Sequence, residues 1–208
     1  MTLQTINIPA EIKRLPHSPA AASLIDLANE KIEAFMLADD SGSDSLNQNF
    51  IPCDFHLLDQ TLTWMEQNNL LTGRRFCELG SGFGVAALLT SLRGMESVGI
   101  EIEPALVEQA KDLADTLELP AKFYNGSFVT PDISETLEPS LKADHIQTNE
   151  RDLYQEIGLG LGDFDLFFAF PWPSEQQFFE AVFRAVATKN SLLLTYRGSN
   201  GMHLIRKT

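Results

Sequence analysis

The hydrophobic pattern divides the chain into an N-terminal part with helical period and a longer part in which strands and helices alternate. Leu24, Leu27, Ala28, Ile32 and Phe35 recur at helical spacing as far as Leu37, and Phe55, Leu58, Leu62 and Met65 repeat the stripe from about Asp54. Ser18-Pro19 opens the first helix, with serine as the cap and proline at the first helical position. Pro9, Pro16 and Pro19 break any longer helix before it, so residues 1–18 read as irregular. Residues 39–49 are polar, contain Gly42 and read as a loop.

After Gly73 the period changes. Apolar runs at Arg75–Leu79, Ser97–Glu101, Ala121–Asn125, Phe164–Phe170 and Ser191–Tyr196 predict five strands. Helices are predicted between them at Val85–Leu92, from Glu103-Pro104 with Leu106, Ala110, Leu113 and Leu117 on one face, and at Ser174–Ala187 with Phe179, Val182, Phe183 and Val186 inward. A polar stretch from Thr130 to Gly162 interrupts the alternation, with a helix expected near Glu150–Ile157. The run Phe164–Phe170 is apolar apart from Asp165, as suits a strand covered on both faces. His203–Arg206 can add a last small strand. Repeated β-α alternation predicts an α/β fold, a doubly wound, mostly parallel sheet with helices on both faces, preceded by N-terminal helices.

The chemistry-bearing segment is Phe76-Cys77-Glu78-Leu79-Gly80-Ser81-Gly82-Phe83-Gly84, followed at once by Val85-Ala86-Ala87-Leu88-Leu89. A strand that breaks into a glycine turn and opens a helix brings bare backbone N–H groups close to a ligand. A dinucleotide fingerprint runs G-x-G-x-x-G; here the third glycine comes one residue early, giving G-x-G-x-G with an acid two residues before the first glycine. Ligands of open α/β sheets sit at the carboxyl ends of the strands. The next strand ends at Glu101, 17 residues beyond Gly84, where a carboxylate can accept both hydroxyls of a ribose. The third ends Tyr124-Asn125-Gly126-Ser127-Phe128 and the fourth Ala169-Phe170-Pro171-Trp172-Pro173-Ser174-Glu175.

Composition narrows the partners. Fifteen Lys and Arg face 29 Asp and Glu, for a net charge of −14, and no basic run exceeds a pair. That disfavours a broad nucleic-acid or anionic-membrane surface. Cys53 and Cys77 are far apart and outside any C-x-x-C, so no disulfide framework is expected, and Cys77 reads as a small buried thiol. His17, His56, His145 and His203 are scattered without metal-ligand spacing, and no metal is expected. The first residues lack an apolar leader core, and no stretch approaches a membrane span, so a cytoplasmic protein is expected.

Taken in order, Glu78, Gly80/Gly82/Gly84, the Glu101 turn and the Phe170-Pro171-Trp172-Pro173 loop resemble the motifs of class I S-adenosylmethionine (SAM) methyltransferases. The resemblance covers roughly residues 50–197. It implies SAM as cofactor, with Gly80, Gly82 and Gly84 around its methionine part, Glu78 near its amino group and Glu101 on the ribose. Many members carry an acid at the position of Ser127 to hold the adenine amine. Here Ser127, Asn125, or backbone and stacking must serve. Amino-methylating members place an [Asn/Asp]-Pro-Pro-aromatic loop after the fourth strand, whereas this chain has Phe170 in the polar position. Phe170, Trp172 and the N-terminal helices are expected to shape the acceptor pocket, with Glu175 as a candidate base and Tyr196 as another.

On this reading residues 1–49 form an N-terminal segment and helix, and residues 50–208 a SAM-binding unit shortened at its C-terminal end. The implied activity is methyl transfer to a small molecule or a protein side chain. A non-catalytic methyltransferase-like domain that binds a partner protein is the alternative. Bland roles stand beside the functional ones: Glu101 can cap the helix at Pro104, and Glu175 can complement the N-terminus of its own helix.

Overall fold

A computed structural model of the chain describes residues 2–38, 51, 53–137 and 153–208. The expected helix start near Glu150 lies outside these residues; the part within them is a short helix at Leu153–Ile157.

The sheet has seven strands: β1 (Leu3–Ile6), β2 (Arg75–Leu79), β3 (Glu96–Glu101), β4 (Lys122–Asn125), β5 (Leu166–Ala169), β6 (Leu192–Tyr196) and β7 (Met202–Lys207). Their spatial order is β1-β7-β6-β5-β2-β3-β4. The pairs β2–β3, β2–β5, β3–β4 and β5–β6 are parallel, while β7 runs antiparallel to both β6 and β1. Strand β1 therefore points the same way as β6. The described helices are α1 (Pro19–Ala38), α2 (Phe55–Gln67), α3 (Val85–Leu92), α4 (Pro104–Thr116), α5 (Pro131–Thr136), α6 (Leu153–Ile157) and α7 (Gln176–Val186).

Period-2 alternation along the strands sends successive side chains into two separate cores. Phe76, Leu166, Phe168, Leu192, Leu194 and Leu204 face a core shared with α1, α2, α3 and α4. Cys77, Leu79, Phe167, Ala169, Leu193 and Ile205 face the other, filled by Phe178, Phe179, Val182 and Phe183 of α7 together with Leu153 and Leu161. The sheet is thus covered on both faces, as the apolar strands require.

Two features depart from the sequence reading. Residues 3–6, expected to be irregular, form β1 and pair in register Leu3↔Lys207 to Ile6↔Leu204. After β6 the chain supplies one further strand, β7. The sheet is completed from the opposite end by β1. Asp165, the acid in an apolar run, accepts the Arg75 N–H at 2.9 Å, and a Cβ at Gly73 would fall 2.1 Å from its carboxylate. That acid and that glycine therefore fix the entry to β2.

The N-terminal segment is fastened by a side-chain contact as well as by strand pairing. The fully buried Asp59 of α2 is ion-paired with Arg93 at the end of α3, and its other oxygen lies 2.5 Å from His17 Nδ1. Among the described residues no helix is long and apolar enough to cross a membrane.

Candidate functional site

The glycine turn after β2 takes the shape its sequence predicts. Gly80, Gly82 and Gly84 all have positive φ, at 74°, 51° and 72°, a region that side-chain-bearing residues enter at a cost. Gly80 N–H and Ser81 N–H both donate to Ile100 O, at 2.9 and 3.0 Å, which folds the turn over the end of β3. The three glycines do different work. A Cβ on Gly84 would lie 2.2 Å from the Phe123 ring, so this glycine lets α3 pack against β4. A Cβ on Gly80 would meet nothing within 4 Å, so only its backbone conformation calls for glycine there.

Glu78 is buried, and its Oε2 accepts the Ala87 N–H of α3 at 2.9 Å. Burial pushes its carboxyl up to about 8; the Ala87 N–H pulls the other way and the nearby Glu101 adds to the rise. The side chain ties β2 to α3 and lies behind the turn.

Glu101 is also buried, but it is surrounded by donors. Its Oε2 accepts Gly82 N–H at 2.8 Å, and its Oε1 accepts Ile102 N–H at 2.7 Å and Glu103 N–H at 3.0 Å. A carboxylate offers about four acceptor positions. Three are occupied by backbone, which leaves room for one hydroxyl where the sequence suggested two. Asn125 holds this loop from the neighbouring strand, donating from Nδ2 to Glu101 O at 3.2 Å and Ile102 O at 2.8 Å. Ser127 turns inward on its own loop, its Oγ accepting Val129 N–H at 3.0 Å.

These strand ends bound a cleft enclosing about 660 Å³, counting the part open to solvent. Gly80, Glu101, Ser127, Phe170, Trp172 and Glu175 line it, joined by Leu79, Ile100, Ile102, Gly126, Phe128 and Phe179. The structure thus brings together six of the eleven residues singled out from the sequence. Glu78, Gly82, Gly84 and Asn125 do not line the cleft; they hold its walls.

A second chamber of about 940 Å³, on the same terms, adjoins the first. Pro171, Pro173 and Gln176 form one side, Arg197–Asn200 another, and Ile51 a third. Phe170 and Trp172 line both cavities. Arg197 is held by Glu180 at 2.8 Å and by Thr195 Oγ1 at 3.3 Å. Sequence reasoning missed Ile102, Phe128 and Phe179, although the first two directly follow residues it named. It also missed Arg197 and Asn200, because nothing before the fold showed that the β6–β7 turn meets the β5–α7 loop.

Tyr196, the second candidate base, lines neither cavity, and its ring packs 4.8 Å from that of Phe170. Burial raises its hydroxyl above the usual phenol value, helped by charge at Cys53 and Asp54, so it is protonated at neutral pH. Among the described residues no group of three or more His, Cys, Asp or Glu is placed to hold a metal.

No family model and no curated protein matches the sequence. Solved structures do match the fold. An RNA methyltransferase from Salinibacter ruber in complex with S-adenosyl-L-homocysteine superposes with a TM-score of 0.50 at 17% identity, over 76% of this chain and 93% of that one. The fold is that of a class I methyltransferase. An O-methyltransferase from Bacillus cereus in complex with the same ligand matches at 12% identity and TM-score 0.48, covering 87% of this chain and 67% of the other. A SAM-dependent methyltransferase from Clostridium acetobutylicum matches at 10% and 0.46, covering 81% and 56%. At 17% identity the likeness is one of architecture: a mostly parallel sheet with one antiparallel strand.

Proposed function

We propose that the chain is a SAM-dependent methyltransferase. The observation that carries this reading is the pair of adjoining cavities that share Phe170 and Trp172 as a common wall. The cleft is concave and lined mainly by apolar and aromatic side chains with a few convergent polar groups, as small-molecule sites are. The groups around it suit SAM: a glycine turn whose first glycine faces open space, a fixed carboxylate at the end of the second strand of the motif, and aromatic walls for a purine. SAM when bound supplies a methyl group activated by its sulfonium.

On this reading Gly80 gives the methionine part close access to the turn, with Gly82 and Gly84 shaping it. Glu78 holds α3 against β2 and so keeps the turn's backbone in place. Glu101 accepts a ribose hydroxyl, with Asn125 bracing its loop and Ser127 closing the purine end. Phe170 and Trp172 separate cofactor from acceptor, exclude water and leave a gap through which the acceptor atom is presented. Transfer from an activated methyl asks for alignment more than for acid–base groups, which fits a dividing wall that is aromatic rather than charged. The acceptor is a small molecule or a protein side chain entering the second chamber. A net charge of −14, with Glu101 and Glu175 in the cleft, weighs against nucleic acid.

Calorimetry with SAM, S-adenosylhomocysteine and NAD(H) tests the reading. Saturable one-to-one binding of the first two and none of the third is expected. Binding of NAD(H) in preference would replace it with a dehydrogenase.

A further inference from the structure

The cleft contains one acid with no assigned work. Glu175 is 6% exposed and lines the cleft at the start of α7. Its Oε2 accepts the Trp172 N–H at 3.2 Å, while its Oε1 is buried with no hydrogen-bond partner. Among the described residues no cation pairs with it. A buried carboxylate oxygen without a donor is costly, and the helix N-terminus on which it stands offsets part of that cost. The arrangement is relieved when a ligand brings a donor.

Its position says which donor. Phe179 lies one helical turn beyond Glu175, its N–H bonded to Glu175 O at 3.1 Å, and its ring is 5.4 Å from that of Phe128. Phe128 directly follows Ser127. Glu175 therefore stands one helical turn from the Phe128–Phe179 pair, and Ile102, Phe128 and Phe179 give its cleft apolar walls for a flat ring. Glu175 does not line the second chamber, so it is on the cofactor side of the Phe170–Trp172 wall. The residue that comparison by position would put on the ring's amine, Ser127, has its hydroxyl engaged by Val129.

We propose that Glu175, from the β5–α7 loop, accepts the exocyclic amine of the cofactor's purine, and is a specificity-determining residue for an adenine ring rather than a base for the acceptor. This rests on the SAM reading. An amino group donates where a 6-oxo or unsubstituted purine does not, so a carboxylate there selects adenine.

The test uses calorimetry of the full chain with S-adenosylhomocysteine and with the same molecule carrying hydrogen in place of its 6-amino group. The wild type should bind the amino form at least about 10-fold more tightly, the scale of one charge-assisted hydrogen bond. In Glu175→Gln a single amide oxygen cannot serve both Trp172 N–H and the amine. The variant should lose about 10-fold for the amino form and less than about three-fold for the analogue, so the preference collapses. If the glutamine variant melts early, Glu175→Asp, which keeps the charge but withdraws it by one methylene, should show the same collapse. Equal binding of both ligands by wild type overturns the assignment and leaves the SAM reading standing. So does a folded variant that keeps the preference, or that loses turnover alone. Failure of wild type to bind either ligand overturns the SAM reading, and this assignment with it.

Discussion

At the scale of single residues, the buried acids Glu78 and Glu101 are held differently. Glu101 accepts from three backbone donors. Glu78 sits deeper, and burial outweighs the Ala87 N–H, so its carboxyl rises to about 8. A carboxyl whose pKa is higher in the folded state than in the unfolded state binds its proton more tightly when folded. Its destabilising effect is therefore absent below the ordinary value, grows as pH rises towards about 8, and is constant beyond. Glu78→Gln keeps an oxygen for Ala87 N–H and removes the titration. The variant should match wild type near pH 4 and exceed it at pH 9, by at most about 5 kcal/mol on the linkage relation. Urea unfolding at several pH values checks this; a difference that does not change with pH would mean that Glu78 titrates in the folded protein as it does in the unfolded chain.

At the scale of elements, the glycine turn separates packing from ligand access within five residues. Gly80 and Gly84 share nearly the same φ, so alanine strains the backbone equally at both, by about 1–2 kcal/mol. They differ in what the added carbon meets. Gly84→Ala drives a methyl into Phe123 and should destabilise by a further 1–3 kcal/mol or so. Gly80→Ala meets open space and should cost the strain alone, while weakening S-adenosylhomocysteine binding by more than its loss of stability. Parallel melting and calorimetry check the pair; equal melting losses would show that the two glycines do not divide the work. This contrast also shows what the sequence could reveal. The shape of the glycine turn and the place of Glu101 at the end of β3 were legible because strand-turn-helix geometry is local, and so were β2 to β6, whose apolar runs are covered on both faces. Strand β1 was not. Leu3-Gln4-Thr5-Ile6 is short, lies at the sheet edge and keeps its middle residues exposed, and its partner β7 is some 200 residues away. Glu175 was noticed as a base candidate, but its orphaned oxygen and its place beside Phe128 and Phe179 depend on how α7 docks. The same holds for the second chamber, whose walls come from loops that meet only after β5, β6 and β7 have paired.

At the scale of the whole molecule, the sheet order brings the β5–α7 loop between two cavities, and Trp172 is the residue on which that arrangement turns. Pro171 and Pro173 fix φ on either side of it, and Glu175 Oε2 anchors its N–H. The loop therefore presents the indole with little freedom left to lose when an acceptor arrives. Trp172 is 39% exposed, so its side chain carries less of the core than the buried phenylalanines beneath it. Truncation should accordingly leave the fold nearly intact: Trp172→Ala should melt within a few degrees of wild type, an effect of about 1 kcal/mol or less. The indole is one of several residues around the cofactor cleft, so S-adenosylhomocysteine affinity should fall by no more than about five-fold. Turnover should suffer much more. Removing the shared wall opens the two cavities to one another and to water, and lets the acceptor take many poses of which few are in line with the activated methyl. A loss of more than about 10-fold in kcat, with cofactor binding nearly preserved, is the expected split. Melting, calorimetry and single-turnover transfer to an acceptor found by screening read the three quantities separately. Should stability and cofactor affinity fall together while kcat of the bound fraction holds, Trp172 belongs to the cofactor cleft alone, and the acceptor must approach by a route other than the second chamber.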